Sequence, residues 1–199
     1  MKTNRLLFIL FCFISYTSTR AQDIYKDSIR SFQEKYVTDH EVVKGNDKKS
    51  IHFFPIDVHY KVTAKVERIY EADWFKVETS GKEKQVYRVY AILHFSIKDT
   101  SLKLPVYQSQ RLMDTKEYAD YLFLPFTDLT NGEESYENGR YIDLKMADLE
   151  TGSYVIDFNK AYNPYCAYVS NQFNCPIPPK ENNLAVAIRA GEMKFGKVH

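Results

Sequence analysis

Apolar residues alternate with polar ones over long stretches of this chain, and this period of two constrains its fold more than any other feature. Between Ile56 and Val66 every second residue is apolar, and the residues between them are polar or charged. A second alternating stretch places Tyr87, Val89, Ala91, Leu93, Phe95 and Ile97 on one predicted face. Successive side chains of a strand point to opposite faces, so both stretches predict strands with one buried face.

Shorter apolar stretches bounded by turn signals predict further strands. They lie at 75–77, 102–108, 121–126, 141–144, 154–158 and 184–190. Pro105 lies inside one of them, and because proline cannot donate to a sheet ladder it predicts an edge strand or a bulge. Asn131-Gly132 and Asn138-Gly139 are strong turn signals. No long helical pattern separates the strands, so parallel crossover connections are not expected.

One helical pattern stands near the start of the chain. Tyr25, Ile29, Phe32 and Tyr36 recur at helical spacing and predict an amphipathic helix over 23–36 that lies on a sheet. We therefore predict a mainly β fold, an antiparallel β sandwich or a partly open barrel, with one N-terminal amphipathic helix. The predicted organisation is a signal peptide over 1–21, a helix and loop over 22–50, and a single β-rich domain over 51–199.

The signal peptide is predicted from the first residues. Lys2 and Arg5 precede an apolar run over 6–14, and Thr19 and Ala21 are small residues placed for cleavage before Gln22. The apolar run is too short to span a bilayer, which takes about 20 residues. The pattern predicts export to the periplasm or the outside, and a protein that is not integral to a membrane.

The charge balance and the cysteine content reduce the classes of function that are expected. The 27 lysines and arginines nearly balance the 26 acidic residues, so a nucleic-acid partner is not expected. Cys166 and Cys175 remain after the signal peptide, and an oxidising compartment predicts a disulfide between them. A nucleophilic Cys166 is the weaker alternative, because the segment around it contains no histidine to act as a base.

Four separated segments carry a resemblance to a known family. They are YLFLPFTD at 121–128, GRYID at 139–143, DFNKAYNPYCAY at 157–168 and CPIPPKEN at 175–182, with FPID upstream at 54–57. In this order they resemble the bacterial and archaeal family called domain of unknown function 1684, over most of the mature chain. The resemblance implies no activity, but it implies that certain positions belong to the family signature: Asp128, Gly139, Arg140, Asp143, Asp157, Asn159, Tyr162, Asn163, Pro164, Cys166, Cys175, Pro176, Pro178, Pro179 and Asn182.

The segment 157–182 is rich in polar residues and prolines, and we predict a long rigid loop there. Together with 128–143 it is predicted to form the mouth of a small-molecule site. The candidate ligand-binding residues are Arg140, Asp143, Asp157, Asn159, Tyr162, Asn163, Tyr168 and Asn182. The alternative is a structural plug that closes one end of the β core, in which Arg140 pairs with Asp143 or Asp157. We favour an Arg140–Asp143 ion pair.

Two further classes of function stay open. A hydrolase would use Asp or Glu side chains from the same loops, and an envelope module would instead contact another protein. Two patterns are also compatible with metal binding: the pair Asp57 and His59, and a partial calcium loop at Asp128, Thr130, Gly132 and Glu134. Exposed strand residues and turn caps explain both, so we predict no metal and no cofactor. The expected partner is an unidentified small molecule or an envelope protein.

Overall fold

The computed structural model describes the backbone of residues 4–196 and the side chains of Arg20 and residues 22–196. The predicted signal peptide over 1–21 lies outside the residues whose side chains are described, and it stays a prediction. Within the described chain no helix is both long and apolar enough to cross a membrane. The chain forms two compact units, one ending at Asp39 and the other beginning at His40.

Helix α1 (Asn4–Asp39) forms the first unit. Arg30 and Asp27 form an ion pair at 2.5 Å, and Lys35 pairs with Asp39. Such neighbours, three or four positions apart, stabilise a helix by a few tenths of a kcal/mol. The predicted N-terminal helix is confirmed, and its packing on a sheet stays a prediction.

The second unit is built on one antiparallel sheet of seven strands that curls into a half-barrel. The strands are β1 (Lys61–Arg68), β2 (Phe75–Val77), β3 (Gln85–Ile97), β4 (Thr100–Ser109), β5 (Tyr121–Phe126), β6 (Arg140–Lys145) and β7 (Ser153–Asp157). Their order is β6-β5-β4-β3-β1-β7, with β2 paired to β3. The predicted mainly antiparallel β class is confirmed, and of its two arrangements the partly open barrel is the one found.

Most strand bounds agree with the alternation to within a few residues, but two segments differ. Val58–Tyr60 forms a 3-10 turn, because the Asp57 side chain accepts the His59 N–H and interrupts the extended backbone before β1. The predicted strand over 184–190 is wrong. That segment is irregular and buries Leu184 and Ile188 in the core, so its alternation reflects burial of every second residue without a ladder.

A β-bulge in β3 also corrects the prediction that Tyr87 to Ile97 share one face. Val89 pairs with Tyr107, whereas Ala91 pairs with the next residue, Val106, so Tyr90 is an extra residue in β3. One extra residue reverses the side-chain alternation. Pro105 therefore lies beside a bulge, as predicted, but in a central strand.

The reversal gives the sheet two different faces. One face carries the main aliphatic core, which includes Ala91, Leu93 and Leu104 and is completed by Leu184 and Ile188. The other face carries a second cluster, here called the aromatic face: Val77, Tyr87, Tyr107, Phe123 and Tyr141, with Phe75, Val89, Tyr121 and Tyr162 packed against them. The edge strand β6 contributes to both faces.

Candidate functional site

Asn182 joins two neighbouring strands. Its side-chain Nδ2 donates to the carbonyl oxygens of Pro105 (2.9 Å) and Pro125 (2.6 Å), and its Oδ1 accepts the Tyr107 hydroxyl at 2.6 Å. One residue pair, Tyr107 and Phe123, registers β4 against β5, so the amide supplies bonds that the short ladder does not. Asn182 is fully buried, and these bonds make it part of the framework.

Arg140 is a second fully buried framework residue. Its guanidinium donates to Asp128 at 2.7 Å and to the carbonyls of Ile188 (2.8 Å), Ala190 (2.6 Å) and Glu192 (3.2 Å). The predicted Arg140–Asp143 ion pair is therefore wrong. The ion-pair partner of Arg140 is Asp128, and both of these side chains are buried. The pair attaches the irregular segment 188–192 to the start of β6.

The β6 entrance requires the glycine before Arg140. Gly139 has a φ of +91°, and a Cβ there would lie 2.6 Å from the Phe126 carbonyl oxygen and 2.6 Å from Pro178. An L side chain is therefore excluded both by conformation and by space. The sequence GRYID at 139–143 thus places a turn and a buried cation in consecutive positions.

Three more predicted ligand-binding residues bond to the protein itself. The Asn163 backbone N–H donates to Glu192 Oε2 at 2.9 Å, and its Nδ2 donates to the Met193 carbonyl at 2.8 Å. The Tyr168 hydroxyl donates to Glu192 Oε1 at 2.6 Å. Asn159 Nδ2 donates to the Asp57 carbonyl at 2.8 Å. Asn163, Tyr168 and Asn159 are buried, so their contacts hold loops in place.

Asp157 completes this loop framework at the end of β7. Its Oδ1 accepts the backbone N–H of Asn159 and caps the short 3-10 turn that follows. Aspartate is favoured at such a cap because its short side chain reaches the backbone N–H two residues on.

Cys166 and Cys175 form a disulfide with a Cα–Cα distance of 6.3 Å. Ser80 lies against it: its Oγ is 2.9 Å from Cys166 Sγ and accepts the Cys175 N–H at 3.1 Å. Because both sulfurs are bonded to each other, neither is a free nucleophile in this structure. The disulfide closes the loop on itself, and Ser80 attaches it to the residues that follow β2.

Asp143 differs from these residues because its side chain is exposed. It lies on β6 opposite Phe123 and so belongs to the aromatic face. Its Oδ1 accepts the hydroxyl of Tyr121 at 2.7 Å and that of Tyr162 at 2.6 Å. Backbone bonds between Tyr141 and Tyr162 hold the second phenol against the edge of β6.

A cleft of about 480 Å³ opens at this carboxylate. We call it the Asp143 cleft. Its lining residues are Glu117, Tyr118, Asp120, Tyr121, Asp143, Leu144, Lys145 and Asp148. Tyr118 is 44% exposed, and its ring meets that of Tyr121 edge to face at 6.2 Å. The volume lies within the range of small-molecule sites.

Burial shifts the pKa values of two groups at the cleft. Burial raises the pKa of Asp143 even though its side chain reaches solvent. The hydrogen bonds from Tyr162 and Tyr121 oppose the shift. Burial, and then the neighbouring Asp143 charge, raise the pKa of Tyr121 well above its usual value. Tyr121 therefore stays protonated and donates.

A second and smaller cleft, of about 280 Å³, is lined by Arg68, Tyr70 and Tyr90 among others. The Arg68 guanidinium stacks 3.3 Å over the Tyr90 ring, and its Nη1 donates to the Tyr90 carbonyl at 2.7 Å. The guanidinium of this cleft is thus engaged by the protein, so the Asp143 cleft is the stronger candidate.

The residues of the metal patterns have protein partners as well. Asp128 binds Arg140, and Glu134 forms a two-oxygen contact with Arg189 at 2.8 Å. His59 Nδ1 lies 2.7 Å from Asp57 Oδ1 at an exposed turn. Across the described residues no three His, Cys, Asp or Glu side chains are grouped to hold a metal ion.

Of the eight predicted ligand-binding residues, Asp143 lines the cleft. Tyr162 donates its hydroxyl hydrogen bond to the Asp143 carboxylate. Sequence reasoning missed Tyr118, Tyr121 and Lys145. The alternation did contain a signal for Tyr121, since it places Tyr121 of β5 and Asp143 of β6 on the same face of the sheet. The antiparallel register that brings them together, in which Phe123 pairs with Asp143, is not written in either segment alone.

The fold and the cleft define a small antiparallel half-barrel protein with an acidic, tyrosine-lined cleft at its edge strand. The chain belongs to the family described as protein of unknown function DUF1684, whose model matches residues 47–193. It is also similar to a solved structure, the solution NMR structure of the uncharacterized protein from gene locus rrnAC0354 of Haloarcula marismortui. The two are 28% identical with a TM-score of 0.64, over 87% of this chain and 96% of the other. No curated protein matches the chain.

Proposed function

We propose that this protein is an exported small-molecule-binding β domain whose ligand occupies the Asp143 cleft. One observation carries the proposal: two phenols hold an exposed carboxylate in fixed orientation at an open cleft. Binding sites combine an apolar wall with a few oriented polar groups, and this cleft has both. The framework residues Arg140, Asn163 and Asn182 support the cleft without contacting the ligand.

The test is a fragment screen on the 15N-labelled protein, followed by amide chemical shifts. Hits are expected to move the amides of 117–121 and 143–148. The residues around Arg68 and Tyr90 serve as the internal comparison, because they line the other cleft. Hits that move only those residues, or a library without hits, would contradict the proposal.

Export is supported by the charged and apolar N-terminus and by the pairing of Cys166 with Cys175. The expected mature protein begins at Gln22 and is recovered from the periplasm or the medium. The N-terminal residue of protein from fractionated cells measures this directly. An intact N-terminus in the cytoplasmic fraction would contradict export.

The raised pKa of Asp143 favours hydrolysis as a second candidate function, because the shift brings the carboxyl closer to the pKa range of general acids. Turnover of a chromogenic glycoside or ester that disappears in Asp143→Asn would support it. Ligand binding in the cleft without turnover of any such substrate would leave binding as the function.

A further inference from the structure

The charge around the Asp143 cleft is strongly one-sided. Four carboxylates line it, those of Glu117, Asp120, Asp143 and Asp148, against one cation, Lys145. Lys145 Nζ is already 3.2 Å from Asp120, and Asp148 accepts the Lys145 backbone N–H at 2.8 Å. The cleft therefore carries a net negative charge that attracts cations and repels anions.

The tyrosine wall of the cleft suits the same class of ligand. The Tyr118 and Tyr121 rings stand at 88° to each other, so they present surfaces in two directions. Elsewhere Arg68 stacks on the tyrosine rings of Tyr70 and Tyr90. Among the described residues no lysine or arginine stacks on Tyr118 or Tyr121. A ring face attracts a cation, and most strongly one that is weakly hydrated.

The Asp143 carboxylate offers one oxygen. Both of its hydrogen bonds from the described residues go to Oδ1, and the side chain is exposed. The two phenols fix the orientation of the carboxylate, so binding a ligand through Oδ2 costs little side-chain entropy.

We propose that the ligand of the Asp143 cleft is an organic ammonium ion, held between the Asp143 carboxylate and the Tyr118 ring, with its apolar part along Tyr121. This inference rests on the proposed function and names its ligand class. A positive ligand offsets the cost that burial imposes on the ionised Asp143 carboxylate. Its affinity therefore rises with pH as Asp143 loses its proton.

The test compares three compounds of one shape and different charge. Choline is the cation, 3,3-dimethylbutanol is its neutral counterpart and 3,3-dimethylbutanoate is the anion. Each is titrated into the labelled protein, and Kd is read from the amides of 117–121 and 143–148. Choline is expected to bind about 10-fold more tightly than the alcohol, and the anion more weakly than both.

Two variants assign the charge effect to Asp143. Asp143→Asn keeps an oxygen that accepts both phenols, so the fold is retained, and choline is expected to lose its 10-fold advantage. Asp99→Asn makes the same chemical change at the exposed β3–β4 turn and is expected to keep it. Tyr118→Ala is expected to weaken choline about 3-fold or more, whereas Tyr70→Ala, at an 82% exposed tyrosine, leaves Kd unchanged.

The outcomes separate the ligand class from the site. Equal affinity for choline and the alcohol at the cleft, or a choline affinity unchanged in Asp143→Asn, overturns the ammonium inference and leaves the binding function standing. If none of the three compounds shifts the cleft amides while library fragments still do, the ammonium inference is likewise overturned and the binding function stands. If neither the three compounds nor the library shifts these amides, both the ammonium inference and the proposed binding function are overturned.

Discussion

Asp128 and Arg140 form an ion pair of 2.7 Å in which neither side chain is exposed. The pair lies between the end of β5 and the start of β6, and Arg140 also holds the carbonyls of Ile188 and Ala190. A buried charge without its partner is costly, whereas the intact pair is close to neutral in stability. The role of Arg140 is thus to fix the irregular C-terminal segment against the half-barrel.

Arg140→Met is expected to destabilise the protein by about 3–5 kcal/mol, because it leaves the Asp128 charge buried and three carbonyls without their donor. Arg189→Met is the matched control. Its partner Glu134 is at the surface, where a pair contributes about 0–1 kcal/mol. Urea unfolding of both variants gives the two differences, and equal losses would contradict the framework role of Arg140.

Asn182→Asp is expected to cost about 3 kcal/mol or more, although the two side chains have the same shape. A carboxylate cannot donate to the carbonyls of Pro105 and Pro125, and both would lose a buried partner. Asn183→Asp, at the exposed neighbouring position, is the control. Similar thermal unfolding midpoints for the two variants would show that the hydrogen bonds of the Asn182 side chain do not stabilise the fold.

His40 is expected to make stability depend on pH. Its Nδ1 accepts the Val43 N–H at 2.9 Å, and burial, followed by the charges of Lys48 and Lys44, lowers its pKa from 6.5 to about 4. The unfolded chain then binds the extra proton first, so stability is full above pH 6.5 and falls as the pH approaches 4.

His40→Gln removes that titration while keeping an acceptor for the Val43 N–H. The wild type is expected to lose up to about 3 kcal/mol more than this variant between pH 7 and pH 4. Denaturant unfolding across this range measures the difference. If the stability of wild type and His40→Gln changed with pH in parallel, His40 would titrate alike in the folded and unfolded states, which would contradict the prediction.

The disulfide is expected to protect Cys166 and Cys175 from alkylation. Alkylation should add no mass to Cys166 and Cys175 until reductant is present, and then two adducts. The closed loop of about ten residues predicts a loss of roughly 2.5–3 kcal/mol on reduction. Two adducts without reductant, from protein purified out of its own compartment, would show free thiols and contradict the pairing.

The alternation of apolar residues was enough to predict the fold class and most strands, because burial of one face is a local property of the sequence. The bulge at Tyr90 was missed since it depends on how β3 pairs with β4, and the irregular 184–190 segment has the same alternation as a strand. Pro105 did signal a disturbance, but it could not show in which of the two strands the extra residue lies.

The site was predicted less well for a related reason. Polar residues of the segments 139–143 and 157–168, such as Arg140 and Asn163, are of the types found in binding sites, but they are as buried as core residues. Only the three-dimensional partners separate the two, since a buried polar group needs bonds wherever it lies. The cleft depends instead on Tyr118 and Tyr121, which read as ordinary strand and turn residues in the sequence.

The most direct test of the account is the pKa of the Asp143 side-chain carboxyl, measured by 13C NMR with and without choline. In the free protein the pKa is expected above the usual aspartate value of 3.8, because burial disfavours the charged form more than the two phenol hydrogen bonds favour it. Saturating choline is expected to lower it, since a bound cation favours the carboxylate. A pKa at the usual value that no ligand moves would contradict the central claim that this carboxylate is the binding group.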